Sequence, residues 1–366
     1  MTTAPPFRRL TGPGLNRPQR LLLSRVSRSF DLSIRLLPKA LQAPVAIGYL
    51  LARATDTVAD TSALALAERQ VLLDLMKEAI DTPTHGNAQT LPPQILGLTQ
   101  AFAAQQINPN ERALMRALPE CLALLHTLSE ADQASVRTVL GHITRGQQQD
   151  MRLFGRGPEQ LVALQTETDL DHYTWLVAGC VGEFWTELCG RHLPGYTLLP
   201  QNEMMHIGRQ YGMSLQRLNI IRDMGADLAD GRCYWPQETL ALAGLTPEWL
   251  AQACAAKAEP HHLQNLQTLA PLYTQWLDQT QAQLACGMRY ALALQPWRLR
   301  LASALPALIG ARTLSLLRQA GPAALSQRVK MPRHEVRALL WRLALGWGSP
   351  QALDRQFRQL SGEWPA

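Results

Sequence analysis

The sequence has few of the residues that favour β-strands. Its 366 residues include only 11 Val and 10 Ile, against 64 Leu and 47 Ala. Leu and Ala favour helices, whereas β-branched residues favour strands. With a hydrophobic fraction of 46%, the composition predicts an all-α globular chain with a large core and argues against a strand-rich fold.

Lysine is also scarce. The net charge is +6, and the 35 basic residues are 31 Arg and only 4 Lys. No run interleaves these basic residues with aromatic residues, so we expect no binding of nucleic acid. Between Arg289 and Arg342 there are ten basic residues and one acid, Glu335. This region has two interpretations: a solvated charged face, or peripheral contact with anionic lipid head groups at the inner face of the cell membrane.

Cysteine pairs at metal-binding or redox spacing are absent. The six cysteines are far apart, without C-x-x-C and without His at ligand spacing, which argues against a disulfide framework and a zinc site. No apolar run reaches the roughly 18 residues of a membrane-spanning helix. The N-terminus lacks the apolar segment of a secretion signal. We therefore expect a cytoplasmic protein with reduced cysteines and no transmembrane segment.

Helical periodicity continues along most of the chain. It predicts a single domain over residues 21–346, after a basic segment at 1–20 and before a polar tail at 347–366. Prolines between Pro38 and Pro44 are expected to separate the first two helices. A long helix is predicted over Pro158–Cys189.

Two aspartates near the end of the first helical region are candidate metal ligands. Asp56 and Asp60 are four residues apart, which places both carboxylates on one helix face. Mg²⁺ suits such a pair because it takes oxygen ligands from carboxylates and substrate phosphates. Arg53 could neutralise the pair or bind a phosphate oxygen. The alternative is a solvated acidic helix end.

A second aspartate pair lies on a later helix. Asp223 and Asp227 repeat the four-residue spacing, and Gln216, Asn219 and Arg222 precede them on the same stripe. Since buried polar groups without partners are costly, this stripe should face a cavity or another polar surface. The alternative is an ordinary charged surface helix. Two such pairs facing each other across a helical bundle would bind several divalent ions and a diphosphate.

Four pieces of the sequence occur in an order typical of one enzyme family. They are Ser27-Arg28-Ser29-Phe30, the set Tyr49, Arg53, Asp56 and Asp60, the run Tyr173–Gly182, and the stretch Gln216–Pro236. Together they make the chain resemble the squalene and phytoene synthases, the head-to-head prenyl transferases, from about Ser24 to Gln319. The resemblance implies the isoprenoid-synthase helical bundle with a central cavity, Mg²⁺ with Mn²⁺ as an alternative, and allylic diphosphate substrates.

The resemblance also implies a role for each matching residue. The implied metal ligands are Asp56, Asp60, Asn219, Asp223 and Asp227. The implied substrate-binding residues are Ser27, Arg28, Phe30, Tyr49, Arg53, Val177, Gln216, Asn219 and Arg222, and the implied catalytic residues are Tyr173, Arg53 and Arg222. Tyr173 would lie beside the ionising carbon, unless it is only a core tyrosine. The small residues after Val177 either leave space for a prenyl chain or permit close helix packing.

The implied reaction joins two farnesyl diphosphates through presqualene diphosphate and reduces the product with NADPH to squalene. Tyr234-Trp235-Pro236 resembles the squalene synthase form of the motif. The alternatives are a synthase that stops at presqualene diphosphate or dehydrosqualene, a phytoene synthase that uses geranylgeranyl diphosphate, and a non-catalytic relative, which would tend to lack the aspartates. The expectation that the protein uses NADPH rests on the resemblance alone, because no predicted strand precedes a glycine-rich dinucleotide motif.

Overall fold

The all-α prediction is confirmed by a computed structural model of the protein. Its described residues are 22–24, 26, 30–61, 64–82, 93–155, 157–255, 262–326, 329–344 and 349–362. This part of the chain contains sixteen α-helices and one parallel pair of two-residue strands, β1 (Val162–Ala163) and β2 (Arg232–Cys233). No helix within it combines the length and the apolar character needed to cross a membrane.

The helices are numbered in chain order. They are α1 (Phe30–Leu36), α2 (Lys39–Ala59), α3 (Leu66–Asp81), α4 (Pro93–Gln105), α5 (Pro109–Arg116), α6 (Leu118–Leu125), α7 (Glu130–Phe154), α8 (Glu167–Thr174), α9 (Cys180–His192), α10 (Gln201–Ala229), α11 (Gln237–Leu242), α12 (Pro247–Ala255), α13 (His262–Ala293), α14 (Trp297–Ala320), α15 (Arg333–Ala344) and α16 (Pro350–Ser361).

Backbone contacts divide the chain into two compact units. The first extends to Leu140 and includes Arg191–Pro194, and the second comprises Gly141–Gly190 and the described residues from Gly195 onward. In the first unit α2 packs against α3, α5 and α6, and in the second unit α10 packs against α13 and α14. The single domain over residues 21–346 stays a prediction.

The break between α1 and α2 is shorter than the prolines predict. It comprises Leu37 and Pro38, and Pro44 lies inside α2. A proline inside a helix removes one backbone hydrogen bond. The loss is offset by burial of apolar side chains of α2 on both sides of Pro44, including Leu41 and Ile47. The helix therefore continues to Ala59 and carries the first aspartate pair at its end.

The helix predicted over Pro158–Cys189 is wrong in its first part. Val162 donates its N–H to the Gly231 carbonyl at 3.0 Å, which starts the pairing of β1 with β2. Helix α8 begins only after Thr166, whose Oγ1 accepts the Asp169 N–H at 3.1 Å. The turn between α8 and α9, Trp175–Gly179, is π-helical. Such turns are frequent at functional sites.

Part of the segment predicted as a polar tail is helical. Helix α16 begins after Ser349, whose Oγ accepts the Ala352 N–H at 3.2 Å, and ends before Gly362, at φ 77°. It buries Leu353 and Phe357 and packs against α13 and α14. These apolar residues, one turn apart, explain why the segment folds.

Candidate active site

The C-terminal end of α2 carries the first aspartate pair. The Asp60 N–H donates to the Asp56 carbonyl at 2.9 Å, so the two carboxylates lie one turn apart, as the spacing predicts. Arg53 forms an ion pair with Asp56 through Nη1. Its Nη2 donates to Glu111 Oε1 on α5 at 2.9 Å. Sequence reasoning missed Glu111, because the 58 positions between the two residues leave no local signal.

The ionisation of Asp56 depends on burial and on the charges around it. Burial raises the pKa of Asp56 to about 6, and the Asp60 carboxylate adds to the rise although Arg53 opposes it. Burial also disfavours the charged form of Arg53, yet Asp56 and Glu111 keep the pKa of its guanidinium above the ordinary value. A cation bound at this pair would stabilise the ionised form of Asp56.

The remaining residues assigned to this end of the chain are only partly described. Tyr49 lies on α2, one turn before Arg53. Its hydroxyl donates to the Val26 carbonyl at 3.3 Å. Ser27 and Arg28 lie outside the described residues, and so does the side chain of Phe30. Their assignment to substrate binding stays a prediction.

Helix α10 carries the second aspartate pair and the polar stripe before it. Arg222 Nε donates to Asp223 Oδ1 at 3.0 Å, and Asn219 Nδ2 donates to Gln216 Oε1 at 3.4 Å. The residues of the stripe are partly exposed, whereas the adjacent Ile220 and Ile221 are buried. The predicted separation of a polar stripe from an apolar face is therefore present.

The second pair opens onto a groove with apolar walls. Arg222, Asp223 and Asp227 line a cavity of about 1100 Å³. Its other lining residues come mainly from α10, α12 and the 3₁₀-helix after α14, and include Ala226, Ala229, Ala251, Ala255, Ala324 and Leu325. The groove thus joins a charged edge to a surface of small apolar side chains.

The charge of the second pair is only partly compensated, by Arg222 and Arg232. Burial raises the pKa of Asp227 to about 7, with Arg232 opposing the rise and Asp223 adding to it. The carboxylate of Asp150 adds further to the rise. As at the first pair, a cation would stabilise the ionised carboxylates.

Tyr173 lies on α8 in contact with a second tyrosine. Its ring stacks on that of Tyr234, with centroids 5.1 Å apart and planes at 25°, and its hydroxyl donates to the Tyr234 oxygen at 3.5 Å. Tyr234 in turn donates to Asp150 Oδ1, and Asp150 Oδ2 lies 3.6 Å from Arg232 Nη1. Sequence reasoning missed Asp150, which lies on α7, 84 positions before Tyr234.

The small residues after Val177 permit close helix packing. A Cβ atom at Gly182 would lie 1.9 Å from the Gly208 carbonyl oxygen on α10. A Cβ atom at Gly146 on α7 would lie 2.5 Å from Val177 Cγ1. Of the two interpretations of this stretch, close packing therefore accounts for Gly182, while a role of Val177 in substrate binding stays a prediction.

Both aspartate pairs offer ligands that fit a hard divalent cation. Carboxylate oxygens are the ligands that Mg²⁺ prefers. Burial, and to a smaller extent neighbouring carboxylates, raises the pKa values of Asp56 and Asp227, and a bound cation would lower them. Among the described residues, no group of three or more His, Cys, Asp or Glu could hold a metal ion. Mg²⁺ usually keeps several waters and takes further ligands from substrate phosphates.

An all-helical fold with an arginine beside an aspartate pair on each of two helices is typical of enzymes that bind diphosphates through metal ions. The family model of squalene/phytoene synthases matches residues 23–335. The chain belongs to this family.

Curated relatives support the same assignment at low identity. The chain is 30% identical to squalene synthase of Saccharomyces cerevisiae over 217 residues, which cover 59% of this chain and 44% of the relative. It is 28% identical to the bifunctional lycopene cyclase/phytoene synthase of Phaeosphaeria nodorum over 255 residues, which cover 69% of this chain and 40% of the relative. The match thus spans less than half the length of these relatives.

Solved structures share the fold. A ligand complex of TcSQS has a TM-score of 0.70 and 20% identity, covering 96% of this chain and 92% of that chain. Squalene synthase HpnC from Alicyclobacillus acidocaldarius has a TM-score of 0.53 and 21% identity, covering 83% and 95%. At these identities the likeness establishes the helical fold, and it leaves the reaction to be tested by experiment.

Proposed function

We propose that the protein is a squalene synthase, which condenses two molecules of farnesyl diphosphate through presqualene diphosphate and reduces the product with NADPH to squalene. The observation that carries this proposal is the arginine-flanked aspartate pair on each of α2 and α10, in a member of the squalene/phytoene synthase family. Carboxylate pairs bind divalent metal ions, and metal ions together with arginines bind diphosphates.

The first chemical step breaks an allylic C–O bond, which requires stabilisation of the departing diphosphate. Mg²⁺ held by Asp56 and Asp60, and by Asp223 and Asp227, would supply positive charge to the phosphate oxygens. Arg53 would donate hydrogen bonds to a diphosphate bound at the first pair, and Arg222 to a diphosphate bound at the second pair. Each guanidinium is already held by a neighbouring aspartate, and a metal ion on that aspartate would release the arginine toward the diphosphate. The bond then breaks without a strong acid.

The carbocation that remains needs surroundings that exclude water. Tyr173 is only 8% exposed, and its ring face would stabilise positive charge. Gln216 and Asn219, adjacent on the polar stripe of α10, would orient the diphosphate and the metal ion.

Squalene is favoured among the family products by the motif Tyr234-Trp235-Pro236. A second candidate, a synthase that forms dehydrosqualene or phytoene, is favoured by the similarity to a bifunctional lycopene cyclase/phytoene synthase. NADPH would bind without a dinucleotide-binding fold, since the described part of the chain has no strand followed by a glycine-rich turn and a helix.

The test is product analysis with the purified full chain. We expect squalene from farnesyl diphosphate and Mg²⁺ only when NADPH is added. Squalene synthesis would be overturned if presqualene diphosphate or dehydrosqualene were the end product despite NADPH. It would also be overturned if the protein made phytoene from geranylgeranyl diphosphate and did not turn over farnesyl diphosphate. Either result would favour another synthase of the same family. No product from either substrate would overturn the enzymatic proposal.

The metal assignment is tested by Asp56→Asn and Asp223→Asn. Loss of a carboxylate that binds the metal should lower kcat by at least about 100-fold, since a metal ion supplies several kcal/mol of charge stabilisation. Asp81→Asn is the matched control, because Asp81 lies on α3, 3.0 Å from Lys77 one turn away, outside both clusters. Normal turnover in Asp56→Asn and Asp223→Asn would refute the assignment.

A further inference from the structure

A buried chain of hydrogen bonds in the second unit connects Tyr173 to a carboxylate. The Tyr173 hydroxyl donates to Tyr234 at 3.5 Å, and Tyr234 donates to Asp150 Oδ1. The two tyrosines are 8% and 7% exposed, and the Asp150 side chain is 18% exposed. The three residues come from α8, from the segment after β2, and from α7, so the arrangement depends on the tertiary fold.

The direction of these hydrogen bonds follows from the number of protons available. Arg232 Nη1 lies 3.6 Å from Asp150 Oδ2, which favours an ionised carboxylate that can only accept. Burial raises the pKa of Tyr234 well above its ordinary value, and the nearby Tyr173 and Asp150 add to the rise. Tyr234 therefore keeps its single proton and donates it to Asp150. Its oxygen is left to accept the proton of Tyr173.

These hydrogen bonds fix the orientation of the Tyr173 hydroxyl. Because its proton is directed toward Tyr234, its lone pairs point away from Tyr234, and the hydroxyl dipole has a fixed direction. Lone pairs directed at a developing positive charge stabilise it, whereas a freely rotating O–H would direct its proton there part of the time. A dipole oriented in advance needs no reorganisation during the reaction.

The chain of hydrogen bonds lies close to the second aspartate pair. Burial raises the pKa of Asp227, the charge of Asp150 adds to the rise, and Arg232 opposes it. The carboxylate at one end of the chain is thus within electrostatic range of a residue that would hold the metal ion. Tyr173, at the other end, would face the carbon that the diphosphate leaves.

We infer that Asp150 and Tyr234 are positioning residues that fix the Tyr173 hydroxyl with its lone pairs toward the carbocation. The inference rests on the proposed function. It adds two residues that would orient Tyr173 without touching the substrate, and one of them, Asp150, lies outside the four pieces of sequence that carry the family resemblance.

Tyr234→Phe removes the hydroxyl while keeping the ring. The ring is held on two sides, by the stack on Tyr173 and by an edge contact with Phe154 at 5.1 Å, so the substitution should disturb packing little. Asp150→Asn keeps the shape of the side chain but introduces an N–H₂ donor, which lets Tyr234 turn its proton toward Tyr173. Tyr290→Phe is the matched control, because Tyr290 is 2% exposed and its hydroxyl accepts from Thr186 Oγ1 at 2.9 Å.

We expect Tyr234→Phe and Asp150→Asn each to lower kcat by about 10- to 100-fold, with KM for farnesyl diphosphate changed less than about twofold. Tyr290→Phe should keep the wild-type kcat. Because Tyr234 acts through Tyr173, the double variant Tyr173→Phe/Tyr234→Phe should be no slower than Tyr173→Phe alone. Thermal unfolding of each variant shows whether it is folded.

The outcomes separate this inference from the proposed function. Wild-type protein that makes no prenyl product would overturn the proposed function, and it is assayed first. With an active wild type, a folded Tyr234→Phe or Asp150→Asn variant with the kcat of Tyr290→Phe would overturn the inference. Independent, multiplying losses of kcat in the double variant would also overturn it. If one variant does not fold, the other still decides the question.

Discussion

At the residue scale, three carboxylates respond to pH in opposite directions, according to their surroundings. The pKa of Asp56 is raised from 3.8 to about 6, and that of Asp227 from 3.8 to about 7. At a pH between the unfolded and the folded pKa of each group, the folded state therefore binds more protons than the unfolded chain. The metal-free protein should therefore lose stability as the pH rises from about 4 to about 7. A bound cation should offset this loss, because it stabilises the ionised carboxylates.

We therefore predict that Mg²⁺ raises Tm by several degrees more at pH 8 than at pH 5.5, measured against EDTA-treated protein by thermal unfolding. The double variant Asp56→Asn/Asp227→Asn is the control, and its Tm should respond little to Mg²⁺ at either pH. An equal response of the wild-type Tm at both pH values would contradict the raised pKa values.

Asp132 shows the opposite behaviour. Its side chain is 7% exposed, with Arg191 Nη1 and His192 Nε2 each 2.8 Å from Oδ1. Burial alone would raise the pKa of Asp132, but the hydrogen bonds from His192 and Arg191 lower it below the ordinary value. The ionised carboxylate therefore stabilises the fold at pH values above the unfolded pKa, and this contribution is lost as the pH falls through the folded pKa.

Asp132→Asn should lower the free energy of unfolding by about 1–3 kcal/mol at pH 7, as measured by urea denaturation. The exposed pair of Lys77 and Asp81, 3.0 Å apart, supplies the control, since Asp81→Asn should change stability by less than about 1 kcal/mol. The difference between Asp132→Asn and wild type should shrink below about pH 4. A difference that grows on acidification would contradict the assignment.

At the element scale, the contact of α9 with α10 depends on glycine. A Cβ atom at Gly182 would lie 1.9 Å from the Gly208 carbonyl oxygen, and a backbone atom cannot move aside without displacing its helix. We predict that Gly182→Ala lowers the free energy of unfolding by about 1–3 kcal/mol. Gly141→Ala is the matched control, because Gly141 also lies in a helix but has nothing within 4 Å of the added atom.

Alanine has the higher helix propensity, so Gly141→Ala should be neutral or stabilise the protein by up to about 1 kcal/mol. Both variants are compared with wild type by urea denaturation at one pH. Equal effects at the two positions would show that propensity, and not the close approach of α9 to α10, decides the result.

Helices with local boundary signals could be predicted from the sequence. Helix α14 is expected over Trp297–Gln319 and observed over Trp297–Ala320, because Pro296 and Gly321 flank it. The strand β1 could not be predicted, since Val162 pairs with Arg232, far away in the chain. The π-helical turn at Trp175–Gly179 has no local sequence signal.

The same distinction applies to the candidate site. The aspartate pairs are one helical turn apart, which is a local relation that the spacing predicts. Glu111 and Asp150 contact Arg53 and Tyr234 from other helices, and only the tertiary fold brings them there. The residues predicted to carry the chemistry are therefore easier to find from the sequence than the residues that contact them.

At the scale of the whole molecule, the composition and the motifs support different conclusions. The excess of Leu and Ala accounts for the helical fold, which many unrelated functions share. The four aspartates and their arginines are what relate this chain to enzymes that act on diphosphates. The net charge of +6 indicates neither the fold nor the reaction.

The cysteines allow a test of whether the molecule unfolds as one unit. All six are free thiols, and Cys121 in the first unit and Cys189 in the second are 2% and 0% exposed. Burial raises the pKa of Cys121 to about 12 and raises that of Cys189 as well, so neither should react until its surroundings unfold. The partly exposed Cys286 should react in the native protein.

The sequence predicts a single domain over residues 21–346, and the division between the two units falls inside α7, after Leu140. Separating the units there would break backbone hydrogen bonds within a helix, which favours a cooperative transition. We therefore expect Cys121 and Cys189 to become reactive toward a thiol reagent at the same urea concentration, measured by mass spectrometry of labelled peptides. Different midpoints for the two cysteines would contradict the prediction and assign a separate stability to each unit.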